Sequence, residues 1–346
     1  MKRHGLQMPM RMRTQRGFAL VIVLWTLAGL AVVAAAVAAT SRTANLNVKL
    51  LRDRVQAEAA FISTAARIQV FASTEAVGRS HFGRGSMRLP VDATPLIAGD
   101  DQRVVLQDVR GLVGLNQARA PRVQALLKAC GISDAVAPRL ADALVDYIDS
   151  DSLKQVNGAE AFEYRAAGVP EPRNARLISG DELWRVLGWR EVQGAWNAAG
   201  CDAAVTVHGD GSINRNTAPL RVLLADGMSD TTAAGMIEAR REGLPAVAIQ
   251  TATPEDASNP FGFIGGGFAG HAMRVSHSAG WIQWQEEYVL DLTPSRNGGP
   301  WRMLEIRTPA RTGPLPAATR ELPPANRVIE RDPNPDDAFP RSPFSN

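Results

Sequence analysis

The 346-residue sequence predicts an α+β fold with a long N-terminal transmembrane helix, a small antiparallel sheet, and a large inserted α-helical domain. Three observations predict it. Phe18–Ala39 reads FALVIVLWTLAGLAVVAAAVAA, with no charge and no proline. Ser41–Ser73 contains neither Gly nor Pro and repeats Leu46, Leu50, Ala57, Phe61, Ala65 and Ile68 at helical spacing. Strand-like segments then flank residues 111–250, where helical patterns dominate.

As a helix, Phe18–Ala39 is roughly 33 Å long, a match to a hydrocarbon core of about 30 Å. It is apolar around its whole circumference, whereas a soluble surface helix keeps one polar face. Residues 18–39 are therefore predicted to span a membrane, within a helix over 18–73. The leader, residues 1–17, holds Lys2, Arg3, Arg11, Arg13 and Arg16 and no acidic residue. By the positive-inside rule it stays in the cytoplasm. That places the head outside, and in a diderm bacterium makes the chain a single-pass inner-membrane protein with its head in the periplasm. Removing those five cations from the formal charge of +3 leaves −2 for residues 18–346. A nucleic-acid surface needs clustered Lys and Arg, so no nucleic-acid partner is expected. A cleavable secretory signal would have a shorter apolar core; an uncleaved signal anchor fits the length.

Beyond the helix, Gly78–Gly85 breaks the pattern, and residues 74–110 form the first part of the β head. Met87–Leu89 and Arg103–Val109 read as strands about an Ala98-Gly99-Asp100-Asp101 turn. In the inserted α-domain, 111–250, helices are expected at Pro121–Cys130, Ala137–Tyr147, Asp181–Leu187, Glu191–Ala198, Pro219–Leu224 and Thr231–Arg241. Residues 251–310 complete the head: a Gly- and Pro-rich loop at Thr253–Gly270, then strands at Met273–His277, Trp281–Leu292 and Trp301–Thr308. An Asn297-Gly298-Gly299-Pro300 turn separates the last two. Residues 311–346 carry eight prolines and read as a disordered tail. Cys130 and Cys201 form one disulfide or remain two small buried residues; their spacing decides neither.

The junction Arg16-Gly17-Phe18-Ala19-Leu20 resembles a type IV prepilin signal. The resemblance implies cleavage between Gly17 and Phe18 by a prepilin peptidase, with methylation of Phe18. Most members of that family carry Glu at the fifth mature position, where this chain has Ile22. A carboxylate in lipid costs about 2.5 kcal/mol or more unless paired, so Glu serves only a subunit that docks beneath another. The run Ala143–Asp151, then Gly158-Ala159-Glu160, Tyr164, Asn174, Glu182-Leu183, Gly188 and Ile213–Ala218, is similar to the GspK family, the K minor pseudopilins of type II secretion systems. With the leader, the similarity spans roughly residues 11–310. It implies a pilin-like head with an inserted α-domain, I and J minor pseudopilins as partners, and a place at the filament tip.

Counting Asp149 as one, Asp151 is three and Glu160 twelve, the outer positions of an EF-hand-like loop. Leu153 and Lys154 at five and six depart from the standard loop; Asn157, backbone carbonyls or Asp146 are candidates for the remaining ligands. The resemblance implies calcium here, in a structural role. The competing reading is a helix C-terminus followed by a solvated acidic loop. Val123–Tyr147 and Asn216–Arg241 resemble helix-hairpin-helix units, but Glu238 and Glu242 flank Arg240 and Arg241. Gly265–Gly270 satisfies G-x-G-x-x-G before a strand rather than a helix, the wrong context for a dinucleotide. His271 and His277 read as surface groups, and Trp281, Trp284 and Trp301 as sheet-packing residues. With no catalytic set in the sequence, the chain is expected to be a non-enzymatic minor pseudopilin that starts or caps the filament. The alternative is a membrane-tethered helix-hairpin-helix DNA-binding protein of a competence-type pilus.

Overall fold

The computed structural model describes residues 16–85, 87–241, 268–294, 299, 301–311 and 313–324. The leader before Arg16, the loop over 253–267 with its glycine run, most of the 297–300 turn, and the tail beyond Pro324 lie outside the described residues. The chain forms two compact units, Met1–Glu58 and Ala59–Asn346. One helix, α1 (Arg16–Thr74), runs unbroken for 59 residues. In the first unit it is long and apolar enough to cross a membrane, and Phe18, Ile22, Trp25 and Leu30 are all exposed. Leu46 and Leu50 are exposed as well. In the second unit, Phe61, Thr64, Ala65, Ile68, Phe71 and Ala72 are buried. Their three- and four-residue spacing is one helical face.

After α1 come the hairpin strands β1 (His81–Arg84) and β2 (Met87–Pro90), then β3 (Asp92–Gly99) and β4 (Gln102–Asp108). The next stretch is mainly helical: β5 (Val113–Gly114), α2 (Ala120–Ala129), α3 (Ala137–Ile148), α4 (Ala161–Ala166), α5 (Trp189–Ala198), β6 (Val205–Thr206), α6 (Leu220–Ala225) and α7 (Asp230–Arg241). The chain then returns through β7 (Ala272–Ala279), β8 (Gln285–Asp291), β9 (Arg302–Arg307) and β10 (Arg320–Glu321). The main sheet has six strands in the order β10-β3-β4-β7-β8-β9. All pairs are antiparallel except β10 with β3. β4 and β7 are direct neighbours, so the α-domain is an excursion between two paired strands.

Several expectations change. The main sheet gains β3, and β1 pairs with β2 in a separate two-stranded hairpin; neither β1 nor β3 was expected. β3 hides its pattern because Pro95 interrupts it and Ala93 sits at φ +64° beside a register shift. Proline is tolerated there because β10 reaches only Leu96 and Ile97. β8 begins at Gln285, not Trp281, because the chain turns at Gly280, whose N–H bonds Asp101 O at 2.9 Å. Asp181–Leu187 is a 3-10 turn over Gly180–Arg185. The start of the proline-rich tail is ordered: β10 pairs with β3, Leu322 is buried, and Arg67 Nη2 donates to Leu322 O at 2.8 Å.

The sheet core faces α1. Leu96, Val104, Leu106, Met273, Val275, Tyr288 and Leu290 share one side by strand alternation and pack with Ile68 and Phe71. His277 belongs to that same face. It is not a surface group: it is fully buried and its ring stacks on Phe61 at 4.2 Å. Trp284 meets Phe61 edge-on at 5.5 Å, and Trp301 packs against the sheet core.

The α-domain has its own core, with Trp189, Trp196 and Tyr164 fully buried among Leu126, Leu140 and Leu144. Pro121 and Pro138 sit in the first turns of α2 and α3, where a missing N–H costs nothing. Cys130 and Cys201 form a disulfide across 71 residues, joining the end of α2 to the 3-10 turn Cys201–Ala204. A loop of that length is worth about 4 kcal/mol on the chain-entropy account.

Buried polar groups join this domain to the sheet. Asp108, at the end of β4, accepts Arg110 N and Gly270 N on Oδ1 at 2.9 and 3.0 Å. Its Oδ2 accepts Asn214 Nδ2 and Thr217 Oγ1 at 3.0 and 2.9 Å. Gly111 is needed beside them, since a Cβ there would meet Thr217 O at 2.7 Å. On the other sheet face, Arg274 donates to Asp202 O at 3.2 Å and to Val205 O. At β9, Glu305 pairs with His208 at 3.0 Å and accepts Gly180 N at 3.2 Å.

Candidate metal centre

The α3 helix places its acidic side chains by period. Asp142 and Asp146 lie one turn apart and are both buried, and Asp149 is the C-cap residue. The chain then loops and re-enters a helix at Glu160, the N-cap of α4. Glu163 Oε2 accepts the Glu160 N–H at 3.0 Å, and Lys154 Nζ holds Glu163 at 2.7 Å. Backbone amides fix the loop from inside. Gln155 N donates to Asp146 Oδ1 at 3.0 Å, and Asn157 N to Asp142 Oδ2 at 3.1 Å. A Cβ on Gly158 would come within 1.9 Å of Asp146 Oδ2, so only glycine lets the loop lie this close.

This folding brings Asp149, Asp151 and Glu160 together, with one oxygen from each within 4.8 Å of the others. Among the described residues, Glu160 Oε1 and Oε2 and Asp149 Oδ1 are buried without a hydrogen-bond partner. Buried carboxylate oxygens are costly unless a donor or cation meets them. Accordingly burial, then the charges of Asp146 and Asp149, push the Glu160 carboxyl above the usual range. Burial and Asp151 do the same to Asp149. Asp151 spends Oδ1 on Leu153 N at 2.8 Å.

One candidate ligand is not evident from the sequence. Asn174 stands at φ +46°, and its Nδ2 donates to Asp151 O at 2.5 Å. Its Oδ1 is buried without a partner among the described residues, a neutral oxygen of the kind a hard cation takes. Positive φ favours Asn, but its distance along the chain from Glu160 conceals the link. Asn157 instead gives its side-chain amide to Asp142 Oδ2 at 3.0 Å. The donor set, all oxygen and mostly anionic, fits calcium.

The other candidate residues lie elsewhere. Gly17, Phe18 and Ile22 fall in the first turns of α1, in the other compact unit. The helix pairs α2–α3 and α6–α7 exist, but Arg240 turns inward, donating to Ala218 O at 2.8 Å and to Arg215 O. It is spent on the fold rather than held out for phosphate.

These features define a class: a pilin-like chain, with an apolar N-terminal helix whose last turns back an antiparallel sheet, and an α-domain carried between two neighbouring strands. Residues 106–193 match the family model for the type II secretion system (T2SS), protein K. A chain of the crystal structure of the GspK-GspI-GspJ complex from enterotoxigenic Escherichia coli has the same fold, with a TM-score of 0.50 at 15% identity. The match covers 76% of this chain and 99% of that one. The comparison with curated proteins returned no match. Over residues 106–193 the chain is thus similar to protein K of type II secretion, and its fold is that of a chain of the GspK-GspI-GspJ complex.

Proposed function

We propose that this chain is a minor pseudopilin of type II secretion that sits at the tip of the pseudopilus, where it starts or caps assembly with I and J pseudopilins. The observation that carries this reading is the α-domain inserted between β4 and β7. A head widened in this way does not repeat along a narrow shaft, so it suits an end. Ile22 agrees, since a terminal subunit has no neighbour above it to receive a buried Glu. A prepilin peptidase cuts between Gly17 and Phe18, Phe18 is methylated, and the helix stays in the inner membrane with the head in the periplasm. The Cys130–Cys201 disulfide suits that oxidising compartment. The role is assembly, not catalysis.

Calcium is the proposed occupant of the acidic loop, supplying the positive charge that four nearby carboxyls lack. Asp149, Asp151 and Glu160 hold it, and Asn174 Oδ1 completes the protein's share. The chain's own contribution is order: the loop is closed against α3 by the amides on Asp142 and Asp146. Co-expression with I and J pseudopilins tests the assembly. A ternary complex that survives size exclusion is expected; migration of this chain alone would remove the tip reading.

A further inference from the structure

The α-domain carries a cavity of about 760 Å³ that neither the acidic loop nor the join to the sheet uses. Its apolar wall comes from Val169, Pro170, Trp184, Val186 and Leu187. Charged groups stand around it, and they are not balanced. Glu171 is held by Arg165 at 3.1 Å and Glu191 by Arg139 at 3.2 Å, and neither arginine lines the cavity. Arg173 is held by the buried Glu182 at 2.5 Å. Arg185 and Arg190 line the cavity, are exposed, and have no hydrogen-bond or ion-pair partner among the described residues. An apolar hollow of this size is ordinary for a ligand site, and a few placed polar groups then set orientation.

We propose that this cavity docks an acidic peptide segment carrying one apolar side chain. The side chain enters against Trp184 and Leu187, and the flanking carboxylates take the guanidinium groups of Arg185 and Arg190. Charge complementarity selects this occupant. The glutamates at the mouth are neutralised from outside, leaving two unmatched cations beside an apolar hollow. Guanidinium binds carboxylate in a two-point fork, and a single aromatic ring buries 150–250 Å², enough to anchor a short peptide. A nucleic acid would find only two free cations here among the described residues, too few to track a phosphate backbone.

The test uses the full chain in detergent and a fluorescein-labelled Asp-Asp-Phe-Asp-Asp peptide, read by fluorescence anisotropy. Saturable binding is expected. It should weaken at least about tenfold when the peptide Phe becomes Ala, and by a similar factor in Arg185→Glu/Arg190→Glu. Arg42→Glu/Arg52→Glu, the same charge change on α1, should bind as wild type does. Circular dichroism checks the fold, and Arg185→Gln/Arg190→Gln replaces the double reversal if that variant unfolds. The proposal is overturned by absence of saturable binding, by equal binding of Lys-Lys-Phe-Lys-Lys, by undiminished affinity in the folded arginine variants, or by displacement of the peptide with a single-stranded oligonucleotide.

Discussion

Asn214 donates its side-chain amide to Asp108 Oδ2 at 3.0 Å, and through that bond the α-domain is fastened to the end of β4. Asn214 is fully buried. The same amide also reaches Arg79 O at 3.0 Å, while Asn214 Oδ1 accepts Asn216 N at 3.1 Å. Loss of one partner leaves several buried polar groups unsatisfied, and each costs about 1–3 kcal/mol. Asn214→Ala should therefore destabilise the head by roughly 2–4 kcal/mol in urea unfolding. Asn214→Asp should cost more, because it sets a second buried carboxylate against Asp108. A loss below about 1 kcal/mol for both would show that this join does not hold the domains together.

His277 makes the head sensitive to acid. Burial lowers its imidazole from 6.5 to about 3, and neither ring nitrogen has a hydrogen-bond partner among the described residues. In the unfolded chain it charges below about pH 6.5, while the folded ring stays neutral. Stability contributed by the neutral ring is therefore present above pH 6.5 and is lost as pH falls from there toward 3. Between pH 7 and 5 the loss is about 2 kcal/mol. His277→Phe keeps the stack on Phe61 and removes the titration, so its stability should fall less over the same interval. Parallel pH profiles for the two proteins would contradict this account.

Calcium should bind the acidic loop and stabilise the head. At a calcium concentration about a hundredfold above Kd, the gain is about 2.7 kcal/mol. Glu160→Gln and Asn174→Ala should each weaken binding at least about tenfold in isothermal titration. Without calcium, Glu160→Gln should be no less stable than wild type, because the raised Glu160 carboxyl already resists ionisation. Binding should weaken as pH falls, since protons compete for Glu160 and Asp149. No heat on titrating the wild-type chain would end the calcium reading.

How much of this was readable in sequence depended on whether a pattern was local. The apolar run Phe18–Ala39 and the helix of Ala137–Ile148 announce themselves by composition and period. Asp149, Asp151 and Glu160 are close enough in sequence for their spacing to suggest one loop. Asn174 reaches that loop only through tertiary folding, and Cys130 finds Cys201 only across the α-domain core. β3 was concealed by Pro95 and the distortion at Ala93. His277 misled for a different reason: alternation along β7 aims it at α1, but a polar residue on a strand reads as solvent-facing. The brief parallel pairing of β10 was hidden in a proline-rich stretch whose composition says nothing about the edge it covers.

The mass and sequence of the mature N-terminus, measured on protein extracted from membranes of a cell with an active prepilin peptidase, test the central claim most directly. If the chain is a minor pseudopilin, as proposed, it should begin at Phe18 and carry a methyl group on its amine. A chain that begins at Met1, or one that begins beyond Ala39 with the helix removed, would contradict it.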